Sequence, residues 1–162
     1  MTRLSVNINK IATLRNARGE DYPNLIKTAQ DIISFGAQGI TIHPRPDERH
    51  IRYSDAFELK ENINTELNIE GNPSKKFIDL VNEIRPEQVT LVPDSEDVIT
   101  SNAGWNTINN FSFLNEIVKE LHSNSIRVSI FIDPDIDMLE GAKKVNADRV
   151  ELFTGPYAKE YN

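Results

Sequence analysis

The sequence predicts an α/β fold whose parallel strands curl into a barrel, and three observations carry that prediction. Short β-branched runs alternate with amphipathic segments from one end of the chain to the other. The first three runs alternate apolar with polar residues, whereas a strand covered by helices on both faces reads as a continuous apolar stretch. The polar positions gather toward the C-terminal ends of the runs, where a parallel barrel meets its substrate.

The first strand is expected over residues 4–9, where Leu4, Val6 and Ile8 alternate with Ser5, Asn7 and Asn9. The chain then turns at Gly19, and a helix follows with Leu25, Ile26, Ala29, Ile32 and Ile33 at spacings of three and four. Gly36 reads as its stop, and residues 40–43 as the second strand. Ser54 reads as the N-cap of the next helix, which leads to a third strand over residues 67–70. Ser74 then caps a helix carrying Phe77, Leu80, Val81 and Ile84, and Pro86 lies just past its end. Residues 89–92 form the fourth strand. The long connection from Pro93 to Ile126 suits a βα unit carrying an insertion, before strands over residues 128–132 and 150–153. Two helix-to-strand joints resemble one another, Gly36-Ala37-Gln38-Gly39-Ile40 and Asn146-Ala147-Asp148-Arg149-Val150, which suggests a repeated architectural unit.

Composition removes whole classes of function. A chain of 162 residues with 38% hydrophobic and 27% charged residues fits one globular domain and is neither disordered nor membrane-spanning. Met1-Thr2-Arg3 leads straight into a strand, not a signal peptide, so a cytoplasmic location is expected. No cysteine is present, which excludes disulfides and thiolate chemistry, and three scattered histidines make a poor metal site. A net charge of -7 argues against nucleic acid, since phosphate-backbone binding needs a basic stripe. Neither a phosphate loop of the G-x-x-x-x-G-K type nor G-x-G-x-x-G occurs.

The polar strand ends make one candidate site: Asn7, Asn9 and Lys10 after the first strand, His43 and Arg45 after the second, Glu70 after the third and Glu151 on the sixth. A lone histidine there is more often a hydrogen-bonded structural residue. A glutamate inside an apolar run is rarer, because an unpaired carboxylate is costly to bury. Two such carboxyls with a histidine point to proton-transfer chemistry. Arg45 offers a planar fork of donors to a phosphate, Arg49 and His50 add charge on the same loop, and Arg18 makes a second cationic point. Arg15 reads equally well as a surface or oligomer contact. Two small phosphorylated substrates suit these separate points better than one nucleotide.

With these residues in view, the sequence resembles the pyridoxine 5'-phosphate synthase family of vitamin B6 biosynthesis. The motifs are VNINKIATLRNARG from Val6, GITIHPRPDERHIR from Gly39, LNIEG from Leu67, VTLVPD from Val89, ITSNAGW from Ile99, VSIFIDPD from Val128 and VELFTGPYA from Val150. The resemblance implies a (β/α)8 TIM-type barrel, of which about six βα units are present here. It implies condensation of 1-deoxy-D-xylulose 5-phosphate with 3-amino-2-oxopropyl phosphate to pyridoxine 5'-phosphate, phosphate and water, with no metal or redox cofactor. By the same resemblance His43 and Glu70 are proton acceptors and Glu151 stabilises the transition state. Asn7 and Arg18 contact the amino-ketone phosphate, and Arg45, His50 and Thr100 the deoxyxylulose phosphate. A homo-octamer is implied as well.

The chain departs from the family pattern in two places. Where most members carry Asp-His after the first strand it has Asn9-Lys10, which leaves substrate hydrogen bonding possible but assures no proton transfer there. The family also continues past VELFTGPYA with two more strands, a glycine-rich phosphate site and a histidine proton donor. Residues 1–162 are therefore expected to be a single barrel domain, incomplete at the C-terminus. Two alternatives stand beside this reading: a different phosphosugar barrel enzyme using Lys10 as a Schiff-base nucleophile, or a shortened, inactive barrel fragment that only binds phosphate ligands.

Overall fold

The computed structural model describes residues 2–94 and 103–161. Six strands form one parallel sheet in sequence order: β1 (Ser5–Asn7), β2 (Gly39–Ile42), β3 (Glu66–Gly71), β4 (Gln88–Leu91), β5 (Arg127–Ile132) and β6 (Arg149–Leu152). Helices α1 (Asn9–Arg18) and α2 (Leu25–Ser34) join β1 to β2. Then α3 (Tyr53–Asn62), α4 (Lys75–Ile84), α5 (Phe111–Ser123) and α6 (Ile136–Lys144) each connect successive strands, and α7 (Gly155–Glu160) follows β6. Neighbouring parallel strands joined through helices are the βα repeat that the alternating pattern predicts.

The two faces of the sheet divide as the alternation requires. Ile40, Ile42, Leu67, Ile69, Val89, Leu91, Val128, Ile130 and Ile132 are wholly buried under the helices. The other face carries a polar ladder in which Asn68 Oδ1 accepts from Thr90 Oγ1 at 3.0 Å and from Gln88 Nε2 at 3.1 Å. Gln88 Oε1 in turn accepts from Arg127 Nε at 3.0 Å and from Arg149 at 2.9 Å. Arg149 also reaches Glu66 at 3.3 Å, from β6 to β3. Three strand spacings in a flat sheet would hold those strands about 14 Å apart, so the contact records a sheet curled toward its polar face. A barrel wall has this shape, and its inward side chains satisfy one another.

The joints repeat. Gly36 and Asn146 both take positive φ, at 108° and 64°. The following amide donates back into the helix in each case, Ala37 to Ile32 at 3.3 Å and Ala147 to Ala142 at 3.1 Å. The next one donates at or just before the preceding strand, Gln38 to Leu4 at 2.8 Å and Asp148 to Val128 at 2.9 Å. Glycine and asparagine are the residues that tolerate this left-handed stop. Ser74 caps α4 as expected, accepting from the Phe77 amide at 3.3 Å.

Several local expectations are corrected. The first strand ends at Asn7, not Asn9, because the Asn7 carboxamide accepts the Asn9 amide at 2.9 Å and turns the chain into α1. Asn9 and Lys10 are thus the first residues of a helix. Ser54 is not an N-cap but the second residue of α3. Arg52 holds the cap position, and its amide is taken by Asp55 Oδ2 at 2.7 Å.

Candidate active site

Four strand ends converge on one site. His43 follows β2, Glu70 is the fifth residue of β3, Asp94 lies three residues beyond β4, and Glu151 is the third residue of β6. His43 and Glu70 have only 12% and 13% of their side chains exposed, with Nδ1 to Oε2 at 3.9 Å, beyond hydrogen-bond length. Burial, with the charges of Arg45, His50 and Arg49, pulls His43 down to about 3. Burial, reinforced by Glu151 and Asp94, pushes Glu70 up to about 8, and burial also raises Glu151. At neutral pH the imidazole is therefore an uncharged acceptor and Glu70 a protonated donor, so their contact is not an ion pair. Glu70, held near neutrality beside an uncharged imidazole, is suited to taking up and releasing a proton.

The loop after β2 supplies the cations. Arg45 is buried at 6% exposure and donates to Asp94 Oδ2 at 2.8 Å. Arg45 and His43 line a cavity of about 290 Å³ that also touches Tyr53, Gly71, Ser74 and Asp94, but not Glu70 or Glu151. His50 accepts the Ile51 amide on Nδ1 at 2.9 Å, so its proton sits on Nε2, and its ring stands edge-on to His43 with centroids 6.2 Å apart. Burial lowers the His50 pKa, and Arg45, Arg49 and Lys10 push in the same direction.

The remaining sequence candidates are distributed less evenly. Asn9 accepts the His43 amide on Oδ1 at 2.8 Å, so it ties α1 to the loop after β2. Asn7 is exposed at the end of β1, where its carboxamide accepts the Asn9 amide at 2.9 Å. Arg18 is exposed at the far end of α1 with its guanidinium over the Tyr22 ring at 5.4 Å, and has no contact with His43, Arg45 or Glu70 among the described residues. Thr100 lies outside the described residues. Lys10 is exposed in the first turn of α1, not at a buried strand end. That exposure removes the desolvation on which a Schiff-base lysine depends. Arg15 is corrected outright: it is 4% exposed and grips Asp55 with two bonds of 2.7 and 2.8 Å, so it is neither a surface nor an oligomer contact in this fold. Sequence reasoning also passed over Asp94. Its signal was a carboxylate following the apolar run Val89-Thr90-Leu91-Val92.

A curled parallel sheet with an imidazole and two desolvated carboxyls at its strand ends has the class of site that parallel-barrel enzymes carry. Residues 4–162 match the family described as pyridoxal phosphate biosynthesis protein PdxJ, and the chain belongs to that family. It is similar to the pyridoxine 5'-phosphate synthases of Flavobacterium johnsoniae, at 62% identity, and Cytophaga hutchinsonii, at 63%, in each case over 100% of this chain and 68% of the relative. That of Porphyromonas gingivalis is 59% identical over the same shares. Among solved structures, phosphoribosylanthranilate isomerase from Thermotoga maritima superposes with a TM-score of 0.60 at 14% identity, over 99% of this chain and 70% of that one. An L-ribulose 3-epimerase gives 0.58 at 10% identity, over 94% and 60%. Identities this low show likeness of fold alone. The chain is thus a pyridoxine 5'-phosphate synthase of the vitamin B6 pathway by family.

Proposed function

We propose that the site condenses 1-deoxy-D-xylulose 5-phosphate with 3-amino-2-oxopropyl phosphate to give pyridoxine 5'-phosphate, inorganic phosphate and water. The observation that carries this reading is the buried His43–Glu70 pair, whose two members are both uncharged at neutral pH. Joining an amine to a ketone, forming an enol, losing water and closing a ring are chiefly proton transfers between positioned groups. His43 and Glu70 accept protons, and Glu151 stabilises positive charge as it develops in the transition state. The substrate amine is itself a cation, and its arrival beside Glu70 favours the carboxylate form that a proton acceptor needs.

Arg45, His50 and Thr100 hold the deoxyxylulose phosphate in this reading, Asn7 and Arg18 the amino-ketone phosphate, and Asn9 and Lys10 border the site. Support for the first group lies in the shared loop of Arg45 and His50 and in the cavity that Arg45 lines. Arg45 would exchange its bond to Asp94 for one to phosphate, a charge-assisted pair of the same kind. No helix among the described residues is long and apolar enough to cross a membrane. The reading also includes a cytoplasmic location and a homo-octamer, for which light-scattering mass is the first check. The decisive experiment supplies both phosphorylated substrates and follows pyridoxine 5'-phosphate together with inorganic phosphate. Release of phosphate without the pyridine product would overturn the proposed reaction.

A further inference from the structure

The loop that carries His50 is gripped from α1 and α3 by Arg15, Asn16 and Asp55, none of which lines the cavity beside His43 and Arg45. Asn16 on α1 donates through Nδ2 to the His50 carbonyl at 2.8 Å and to the Arg49 carbonyl at 3.3 Å. Arg15 donates to the same His50 carbonyl at 3.3 Å, while its fork holds Asp55 at 2.7 and 2.8 Å. Asp55 then takes the Arg52 amide at 2.7 Å, on the other side of the loop. Between these grips Ile51 is wholly buried. The backbone from 49 to 52 is therefore held at two carbonyls and one amide, with an apolar anchor in the middle. This is the segment whose Ile51 amide occupies His50 Nδ1 and leaves Nε2–H as the ring's donor.

Solvation or crowding alone does not explain such an arrangement. Arg15 and Asp55 are 4% and 6% exposed, and a buried ion pair is weak as a source of stability because desolvation offsets its attraction. What a bidentate pair with further bonds does supply is a fixed geometry. We propose that Arg15, Asn16 and Asp55 are positioning residues: they form a clamp that sets the His50 ring with Nε2–H presented to the phosphorylated ketose. The ligand part of this inference rests on the reading of His50 given above. The clamp itself rests on the bonds alone.

The test uses protein labelled with 15N in the histidine rings, unchanged and as two variants. Asn16→Ala removes the strongest grip on the His50 carbonyl without touching a buried charge. Arg15→Met/Asp55→Leu removes both charges together, so that neither is left buried and unpaired. In the unchanged protein the two ring nitrogens of His50 should give well-separated signals, one bare acceptor and one N–H. In the variants these signals should move toward each other as tautomers mix. Affinity for 1-deoxy-D-xylulose 5-phosphate, read by calorimetry, should fall about tenfold while that for 3-amino-2-oxopropyl phosphate stays within about twofold, as expected when one contact is misplaced and the rest of the site is intact. Ring signals that stay put in Asn16→Ala overturn the clamp, and so does an equal loss of affinity for both ligands. If His50→Gln binds the ketose phosphate normally, the substrate reading of His50 fails instead, and the ring signals still decide the clamp.

Discussion

Glu70 concentrates the chemistry at the scale of single residues. In a barrel completed by its last two βα units, replacing it by glutamine keeps shape and hydrogen bonding but removes proton acceptance, so turnover should be lost while substrate affinity stays within about tenfold. Stability should move the other way. The folded protein holds the Glu70 proton up to about pH 8, whereas a glutamate in the unfolded chain releases it near its ordinary value of 4.5. The contribution of the group is thus fully present below 4.5 and lost as pH rises through 8. Glu70→Gln should accordingly gain a few kcal/mol over the parent at pH 9 and little at pH 5, as read from urea midpoints. No difference between the two pH values would refute the raised pKa. For Arg45→Ala, capture of the ketose phosphate should weaken by a few kcal/mol, as for a lost charge-assisted pair. An unchanged KM for that substrate would remove Arg45 from phosphate binding.

Between residues and the whole barrel, the junction of β3 with α4 shows how tightly the site's supports are packed. A Cβ built on Gly71 would meet the Phe77 ring at 2.2 Å, and Phe77 is 3% exposed in the first turn of α4. The ring cannot retreat without disturbing the helix that Ser74 caps. Gly71→Ala should therefore destabilise the protein by about 1–3 kcal/mol through overpacking. Adding Phe77→Leu, which shortens the offending side chain, should recover part of that loss. Urea unfolding of the two variants would check both statements, and a Gly71→Ala protein as stable as the parent would mean that the junction is looser than it looks.

For the molecule as a whole, proton inventory and sheet closure both have measurable consequences. If Glu70 acts as a base in the free enzyme, kcat/KM should climb as pH rises toward 8, following its deprotonation. A profile flat between pH 6 and 9 would take that role from it. Among the described residues β1 and β6 each pair on one side only, and curled parallel sheets close when no strand is left as an edge. We propose that residues 1–162 belong to a single barrel domain that is completed by two further βα units. A polypeptide of these 162 residues should then make no pyridoxine 5'-phosphate, whereas one extended by the last two βα units of a relative should. Comparable turnover by both would show that closure is unnecessary or is supplied by another copy.

Much of the architecture was legible because it follows from local periodicities. Short β-branched runs, the first of them alternating apolar with polar residues, named all six strands to within a residue or two. The Gly36 and Asn146 joints were readable because few residues tolerate a positive φ. His43, Glu70 and Glu151 were singled out by chemistry at odds with their apolar surroundings. The boundary at Asn7 was not legible, because a side chain accepting a nearby amide competes there with an alternation that continues to Asn9. Nor were the ion pairs: Arg15 finds Asp55 forty residues away and Arg45 finds Asp94 at forty-nine, and only folding decides which charges meet. Tertiary structure alone likewise set the ionisation of the site. The sequence determined which groups stand at the strand ends, but whether His43 is a neutral acceptor and Glu70 a protonated acid depends on how much water the assembled barrel wall excludes and which charges it brings near.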